Sequence, residues 1–470
     1  MLRKTKILAT LGPASDDDAT ITSLLQAGAP MFRLNMSHAS PDWTRQTVGR
    51  IRAAAQATGR EAAVLVDLRG PSIRTGDLDQ PIPLAVGDEL ELRLRPGVPA
   101  RLPKSVPVNY PGLGRDVRPG DTLLIGNGML RTRVVSSGDD TVVVVLATDG
   151  RLTSRRHINL PGVSVGLPTL SRKDHADIDL AVEVGADFVA LSFARHAAGI
   201  EELRALLSER GSKARVVAKI ENHQAIANLD SIIEVSDAVM VARGDLGVET
   251  ELEELPIIQR RIIERCSFIG RKCIVATQML ESMVDNPVPT RAEVTDVFNA
   301  VMEQVDCVML SGETAAGRYP VACVEILDRV ARRVEDEFPG GRLAANPPLR
   351  SDKQRTAHAA TTLANSIAGS RILVFTLRGV LGHLIAHQRP ERAHVFAFSP
   401  NLDVVRSLLM ARSVQPFQLS FDDQPERIID NGIAILREAG LICEGDPLVI
   451  LSDVFHDDVL EVDSILWRRA

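Results

Sequence analysis

Two short runs in the middle of the chain, Val216-Val217-Ala218-Lys219-Ile220-Glu221 and Val239-Met240-Val241-Ala242-Arg243-Gly244-Asp245, put a lysine and two carboxylates directly after apolar residues of the buried kind. Carboxylate oxygens suit hard divalent cations such as Mg²⁺ or Mn²⁺. An ammonium beside them neutralises charge on a transferring phosphoryl group. Lys219, Glu221 and Asp245 therefore point to metal-assisted phosphoryl chemistry, provided that strands of one parallel sheet carry their tips to a common mouth. Taken singly, each is equally the charged end of an ordinary strand.

A common mouth needs a set of parallel strands, and the sequence supplies eight apolar runs: Thr5–Gly12, Pro30–Ser37, Ala62–Asp67, Asp187–Phe193, Arg215–Glu221, Asp237–Gly244, Lys272–Thr277 and Asp306–Ser311. Most are separated by stretches of helical period, as in Glu293–Val305, where Val294, Val297, Phe298, Val301, Met302 and Val305 share one face. Strands this apolar, without alternation, fit a sheet covered on both faces. The expected fold is α/β: a (β/α)8 barrel with an inserted small all-β lid domain and a C-terminal α/β domain. A doubly wound open sheet is the alternative. The barrel is expected over 1–70 and 161–345. Residues 71–160 interrupt it with short alternating runs (ELELRLR, LRTRVVSS, TVVVVLAT) between Pro-Gly and Gly-Asp turns, the texture of a small β domain placed to act as a lid. A break at Pro339-Gly340-Gly341 and Asn346-Pro347-Pro348 introduces a third domain over 346–470, with strands RILVFT, AHVFAFS, PFQLS and LVILSD.

At the tips of the barrel strands stand Arg33, Asn35, Ser37, Asp67, Arg74, Lys219, Glu221, Asp245, Thr277, Ser311 and Glu313. Arg33 and Arg74 can fork onto phosphate oxygens. Gly244-Asp245-Leu246-Gly247 reads as a tight turn into a helix with N–H groups free for a carboxylate. The net charge of -7 gives no reason to expect nucleic acid or an anionic membrane as partner, so an anionic substrate must be held by a local basic site. Five cysteines, an odd number without C-x-x-C spacing, fit a reducing compartment, and with no secretory signal or membrane span in view a cytoplasmic protein is expected. P-loop and Gly-x-Gly-x-x-Gly signatures are absent.

The runs TKILATLGPAS, FRLNMSH, RGPSIRTG, NLPGVSVGLP, KIENHQAI, VMVARGDLGVE, ATQMLESMVDNPVPTRAEVTDVFNAV and MLSGETAAGRYP resemble pyruvate kinase. The resemblance implies phosphoryl transfer between phosphoenolpyruvate and ADP, giving pyruvate and ATP in glycolysis. It implies that Lys219 stabilises the phosphoryl group, that Glu221 and Asp245 hold Mg²⁺ or Mn²⁺, and that Arg33 binds phosphate. Thr277 with the backbone of Ala242, Gly244 and Asp245 would hold the substrate carboxylate. Thr277 and Ser311 would lie on the proton route, and Arg74, His38 and the lid's Arg156 would meet nucleotide phosphates. Trp43 falls where an aromatic lies near the adenine. Asn35, Ser37, Asp67 and the Leu68 carbonyl match a site for a monovalent cation, K⁺. A homotetramer is implied as well.

The chain departs from the family pattern in three places. Asp67-Leu68-Arg69-Gly70-Pro71-Ser72 replaces the usual D-T-K-G-P-E; the acidic residue goes with potassium dependence and a lysine there with independence, Ser72 is neither, and Leu68 leans towards the independent type. Gly126-Asn127 replaces a pair of lid aspartates. Thr376-Leu377-Arg378-Gly379-Val380-Leu381-Gly382 lacks two hydroxyls of the family's sugar-phosphate loop, so a fructose-bisphosphate site of the usual kind is not expected. The lid change keeps a second reading open, a weakly active or non-catalytic pyruvate kinase-like regulatory protein. A third, a metal-dependent barrel aldolase, is disfavoured by the long insertion.

Overall fold

The computed structural model describes residues 2–342, 348–422, 424–452 and 464–470. Eight strands, β1 (Lys6–Leu11), β2 (Met31–Asn35), β3 (Ala63–Asp67), β4 (Phe188–Leu191), β5 (Arg215–Ile220), β6 (Ala238–Ala242), β7 (Lys272–Ala276) and β8 (Cys307–Leu310), close into a barrel in which each is parallel to its neighbours and β1 pairs with both β2 and β8. All eight expected runs are barrel strands. Helices between them are framed by the local signals that start and stop a helix. Pro41–Thr58 begins after Ser40, whose side chain accepts the Trp43 N–H, and ends at Gly59 with φ +63°. Arg291–Met302 opens on a reciprocal Thr290/Glu293 capping box.

Strand side chains alternate, so one row of each barrel strand faces outward to the helices and the other faces the barrel axis. The inner rows, among them Leu8, Met31, Leu65, Phe188, Ala190, Val217, Met240, Ile274 and Met309, form one buried cluster. Leu409 and Met410 of the C-terminal domain join that cluster. Two buried ion pairs tie the same junction: Arg389 to Asp306 at 2.7 Å and Arg412 to Glu335 at 3.1 Å.

Between β3 and β4 the chain leaves the barrel. The insertion holds a six-stranded and a two-stranded sheet over its own core, which includes Leu92, Val106, Leu123, Val142 and Ile158. It also carries a short helix, Leu113–Asp116, that the alternating sequence does not announce. Its two stems are hydrogen-bonded to each other, Thr75 N–H to Arg156 O at 2.9 Å and Ile158 N–H to Ile73 O at 2.8 Å.

The C-terminal domain has four parallel strands, β9 (Arg371–Phe375), β10 (His394–Ser399), β11 (Val414–Gln418) and β12 (Pro447–Ser452), in the order β11-β10-β9-β12. A fifth, β13 (Ser464–Arg469), pairs antiparallel to β12 at the edge. The sequence reading missed it, because SILWRR shows neither alternation nor a buried run, and every residue of the strand is exposed. The expected boundary at 345/346 lies outside the described residues. Among the described residues no helix is long and apolar enough to cross a membrane.

Candidate active site

The axis-facing rows of the barrel lead straight into polar residues at its C-terminal mouth. One pleat beyond Leu8 comes Thr10; beyond Met31, Arg33; beyond Leu65, Asp67; beyond Ala190, Ser192; and beyond Val217, Lys219 followed by Glu221. The side chains that share the barrel interior thus hand over to side chains that share its mouth. Arg33, Asn35, Ser37, His38, Asp67, Leu68, Arg74, Lys219, Glu221 and Asp245 come together around one cavity of about 420 Å³, with Arg156 and Asn127 of the lid across it.

A chain of ion pairs runs along one side of this cavity. Arg33 Nε donates to Asp67 Oδ2 at 2.6 Å, and its Nη1 donates to Thr10 Oγ1 at 3.1 Å. Lys219 Nζ lies 3.4 Å from Asp67 Oδ1 and 2.9 Å from Glu221 Oε1, and donates to Ser192 Oγ at 2.8 Å. The Phe193 N–H donates to the other Glu221 oxygen at 2.7 Å. Lys219, Asp67 and Glu221 are all buried, at 8%, 1% and 1% exposure. Burial alone would discharge each of them, so their charges rest on their neighbours. Burial opposes the Lys219 ammonium, but Asp67 and Glu221 outweigh it and raise its pKa. Burial likewise works against the Asp67 carboxylate, and Lys219 with Arg33 outweighs it, so that its pKa falls. Glu221 is the exception: burial, with Asp245 adding to it, lifts its carboxyl above the ordinary range despite Lys219.

Glu221 and Asp245 are near enough to repel, and both line the cavity. Among the described residues no group of three or more His, Cys, Asp or Glu is arranged to hold an ion alone. Two carboxylates fit a hard cation whose remaining ligands are water and substrate oxygens, the usual set for Mg²⁺ in phosphoryl transfer.

Ala242, Gly244, Thr277 and Ser311 are at the same end of the barrel but outside the cavity lining. Helix Arg243–Glu249 starts directly after β6, and the Gly244 N–H, expected to be free, donates to Thr277 Oγ1 at 2.9 Å. Thr277 and Gln278 both have positive φ, +70° and +54°, a conformation that costs a β-branched residue about 1–3 kcal/mol. Arg243 holds it there. Its guanidinium pairs with Asp296 at 2.7 Å and donates to the carbonyls of Ala276 and Thr277. Ser311 Oγ is buried without a hydrogen-bond partner among the described residues. Glu313 is structural rather than a mouth ligand, since its two oxygens accept the N–H groups of Ser311 (2.6 Å) and Leu280 (3.0 Å).

A larger cavity of about 730 Å³ adjoins the first, sharing Asn35 and His38, with Gly12, Pro13, Asp16 and Trp43 on its walls. Trp43 donates its indole N–H to Asp16 at 2.6 Å, which fixes the ring. The lid reaches the active cavity through Gly126 and Asn127, and Gly126, Asn127 and Gly128 have φ of +67°, +56° and +83°. Three left-handed residues in a row explain the Gly-Asn-Gly sequence, since Asn tolerates that region best after glycine. Sequence reasoning missed Ser192, Phe193 and His157, which also line the cavity. The signal for Ser192 was present: it stands at the end of an apolar run, on the pleat that follows Ala190.

A closed parallel barrel with an inserted lid, an α/β domain beneath it and a cationic, carboxylate-bearing mouth define a barrel enzyme of the phosphotransferase class. Residues 2–324 match the family described as pyruvate kinase, barrel domain, and residues 354–462 match pyruvate kinase, alpha/beta domain. The chain belongs to the pyruvate kinase family. It is similar to plastidial pyruvate kinase 2 of Arabidopsis thaliana (38% identity over 96% of this chain and 78% of that one). It is similar also to pyruvate kinase of Geobacillus stearothermophilus (36% identity over 97% and 78%). The crystal structure of a pyruvate kinase from Cryptosporidium parvum superposes with a TM-score of 0.92 at 34% identity, covering 99% of this chain and 96% of that one.

Proposed function

We infer that the chain transfers the phosphoryl group of phosphoenolpyruvate to ADP, giving pyruvate and ATP. The observation that carries this reading is the Arg33–Asp67–Lys219–Glu221 chain in one cavity with Asp245. Lys219 and Arg33 put two cations beside the place where phosphoryl charge develops, and the burial of Lys219 strengthens its effect there. A divalent ion held by Glu221 and Asp245 supplies further neutralisation of that charge when bound. Thr277, with the backbone of Ala242, Gly244 and Asp245, receives the substrate carboxylate, to which the Gly244 N–H turns from Thr277 Oγ1. Thr277 and Ser311 lie on the proton route to the enolate carbon, and the unpartnered Ser311 Oγ is in keeping with that role. Arg74, His38 and Arg156 meet the nucleotide phosphates, and the adjoining cavity beside Trp43 takes the adenine.

The two cations already beside Asp67, Arg33 at 2.6 Å and Lys219 at 3.4 Å, favour turnover without K⁺ at the Asn35, Ser37, Asp67 and Leu68 set. The lid's own buried core, running from Ile73 to Leu160, supports a division into barrel (1–70, 161–345), lid (71–160) and C-terminal domain (346–470). The deciding experiment is ADP phosphorylation by phosphoenolpyruvate with Mg²⁺ or Mn²⁺, coupled to lactate dehydrogenase. Turnover well above a Lys219→Met control is expected; equal rates overturn the reading in favour of a non-catalytic relative.

A further inference from the structure

His157 stands on the returning stem of the lid, and its backbone is held on both sides. Its carbonyl accepts the Gly126 N–H at 2.9 Å, and the stem bonds from Thr75 N–H to Arg156 O and from Ile158 N–H to Ile73 O flank it. Those two bonds make His157 and Arg74 a directly opposed antiparallel pair with no hydrogen bond between their own backbones. Side chains come closest in that kind of pair, whose Cα atoms are about 4.5 Å apart. The pairing of the two stems therefore sets the imidazole beside the Arg74 side chain.

The ring belongs to the active cavity. The charged groups that act on it are Asp245, Arg74 and Arg69, and all three line that cavity, as His157 does. It packs against Phe193, with ring centroids 5.6 Å apart and planes tilted by 54°. Phe193 is itself fixed: it takes φ +53°, a conformation rare for a bulky residue, and its N–H holds Glu221 at 2.7 Å. The imidazole is half-buried, and among the described residues neither of its nitrogens has a hydrogen-bond partner. Neutral or charged, an imidazole carries at least one N–H. A donor held by two stems and an aromatic neighbour is thus left open to whatever fills the cavity.

Two guanidinium groups and an unspent N–H on one wall make a place for an oxyanion. We propose that His157 is a binding residue for ADP, its ring N–H donating to a phosphate oxygen that Arg74 also holds. This assignment rests on the phosphoryl-transfer reading and adds a residue to its nucleotide site. Phe193 keeps the ring in its plane, and the stem pairing keeps it beside Arg74. Arg74 is on the outgoing stem of the lid and His157 on the returning one, so a bound nucleotide bridges the two stems where the lid leaves the barrel.

Calorimetric titration of the full-length chain with ADP and Mg²⁺, and separately with phosphoenolpyruvate and Mg²⁺, tests this without turnover. His157→Phe keeps a ring against Phe193 and removes the N–H; His157→Ala serves in its place should that variant fail to fold. The loss should weaken ADP by about tenfold or more, one hydrogen bond to a charged group, and leave phosphoenolpyruvate within about twofold. His157→Gln, which returns an N–H donor, should recover most of the ADP affinity, an outcome that packing alone does not give. In the coupled assay the same variants should raise KM for ADP and leave KM for phosphoenolpyruvate in place. Unchanged ADP affinity without the imidazole, an equal loss for both substrates, or no recovery in His157→Gln each overturns the proposal. The titration reads binding alone, so its failure is distinct from absence of turnover, which would overturn the phosphoryl-transfer reading.

Discussion

Lys219 Nζ lies 2.9 Å from Glu221 Oε1, two residues apart at the end of β5 and so on the same side of the chain. The ammonium therefore occupies an oxygen that a divalent cation also needs. Lys219→Met should lower kcat by about 10²–10³-fold. It should also tighten Mn²⁺ binding by at least about tenfold, because one positive charge leaves the site. Titration followed by Mn²⁺ paramagnetic resonance checks the second effect. Unchanged affinity would mean that lysine and metal do not compete for Glu221.

Glu221→Gln separates ligation from folding. The amide oxygen can still accept the Phe193 N–H that Glu221 receives at 2.7 Å, and burial already favours an uncharged group at this place. The Mg²⁺ concentration for half-maximal activity should rise by about tenfold or more, while Tm moves by less than about 4 °C. A normal metal requirement in a folded variant would remove Glu221 from the ligand set.

Ser192 links the Lys219 ammonium to the Leu68 carbonyl through bonds of 2.8 and 2.7 Å. Ser192→Ala should cost about tenfold in kcat, the scale of one charge-assisted hydrogen bond, by loosening the lysine. The KM for phosphoenolpyruvate should change little. A change confined to KM would assign Ser192 to binding instead of to positioning Lys219.

Arg74 Nε donates to Ser72 Oγ at 3.1 Å, and Arg33 and Lys219 hold Asp67. With these fixed cations in place, replacing K⁺ by Na⁺ or tetramethylammonium at constant ionic strength should leave turnover unchanged. Several-fold activation by K⁺ in the coupled assay would contradict that expectation.

His394, at the start of β10, is only 6% exposed, and its Nε2 has no partner among the described residues. Burial, with Lys4 and Arg371 adding to it and Glu335 opposing, lowers its pKa to about 4. The unfolded chain binds this proton near its ordinary value and the folded chain does not, so stability falls as pH drops through the window between them. Acidification from pH 7 to pH 4 should cost about 3 kcal/mol through this residue. Urea unfolding of wild type and His394→Asn across that range should show the wild type losing more. Parallel curves would mean that His394 titrates alike in both states.

The barrel was legible in the sequence because a strand buried on both faces can only be an uninterrupted apolar run, and eight such runs separated by helical periods leave few alternatives. The same residues made Lys219, Glu221 and Asp245 legible, since each follows an apolar strand immediately. The exposed edge strand β13 left no such mark. Nor did the state of Thr277, whose positive φ depends on Arg243 and Asp296 from two other elements.

What the sequence determined by itself is local: the strand runs, the helix caps, the lid's alternating texture and the identity of the charged strand tips. Tertiary structure decided which tips share a charge. Asp67 on β3 and Lys219 on β5 are 152 positions apart, and only the pairing of both strands with β4 in the barrel brings Asp67 Oδ1 to 3.4 Å from Lys219 Nζ. The same packing buries these groups, so their neighbours instead of solvent set their ionisation, raising Lys219 and lowering Asp67. No pattern along the chain encodes that, because Coulomb energy depends on distance and dielectric, and the fold creates both.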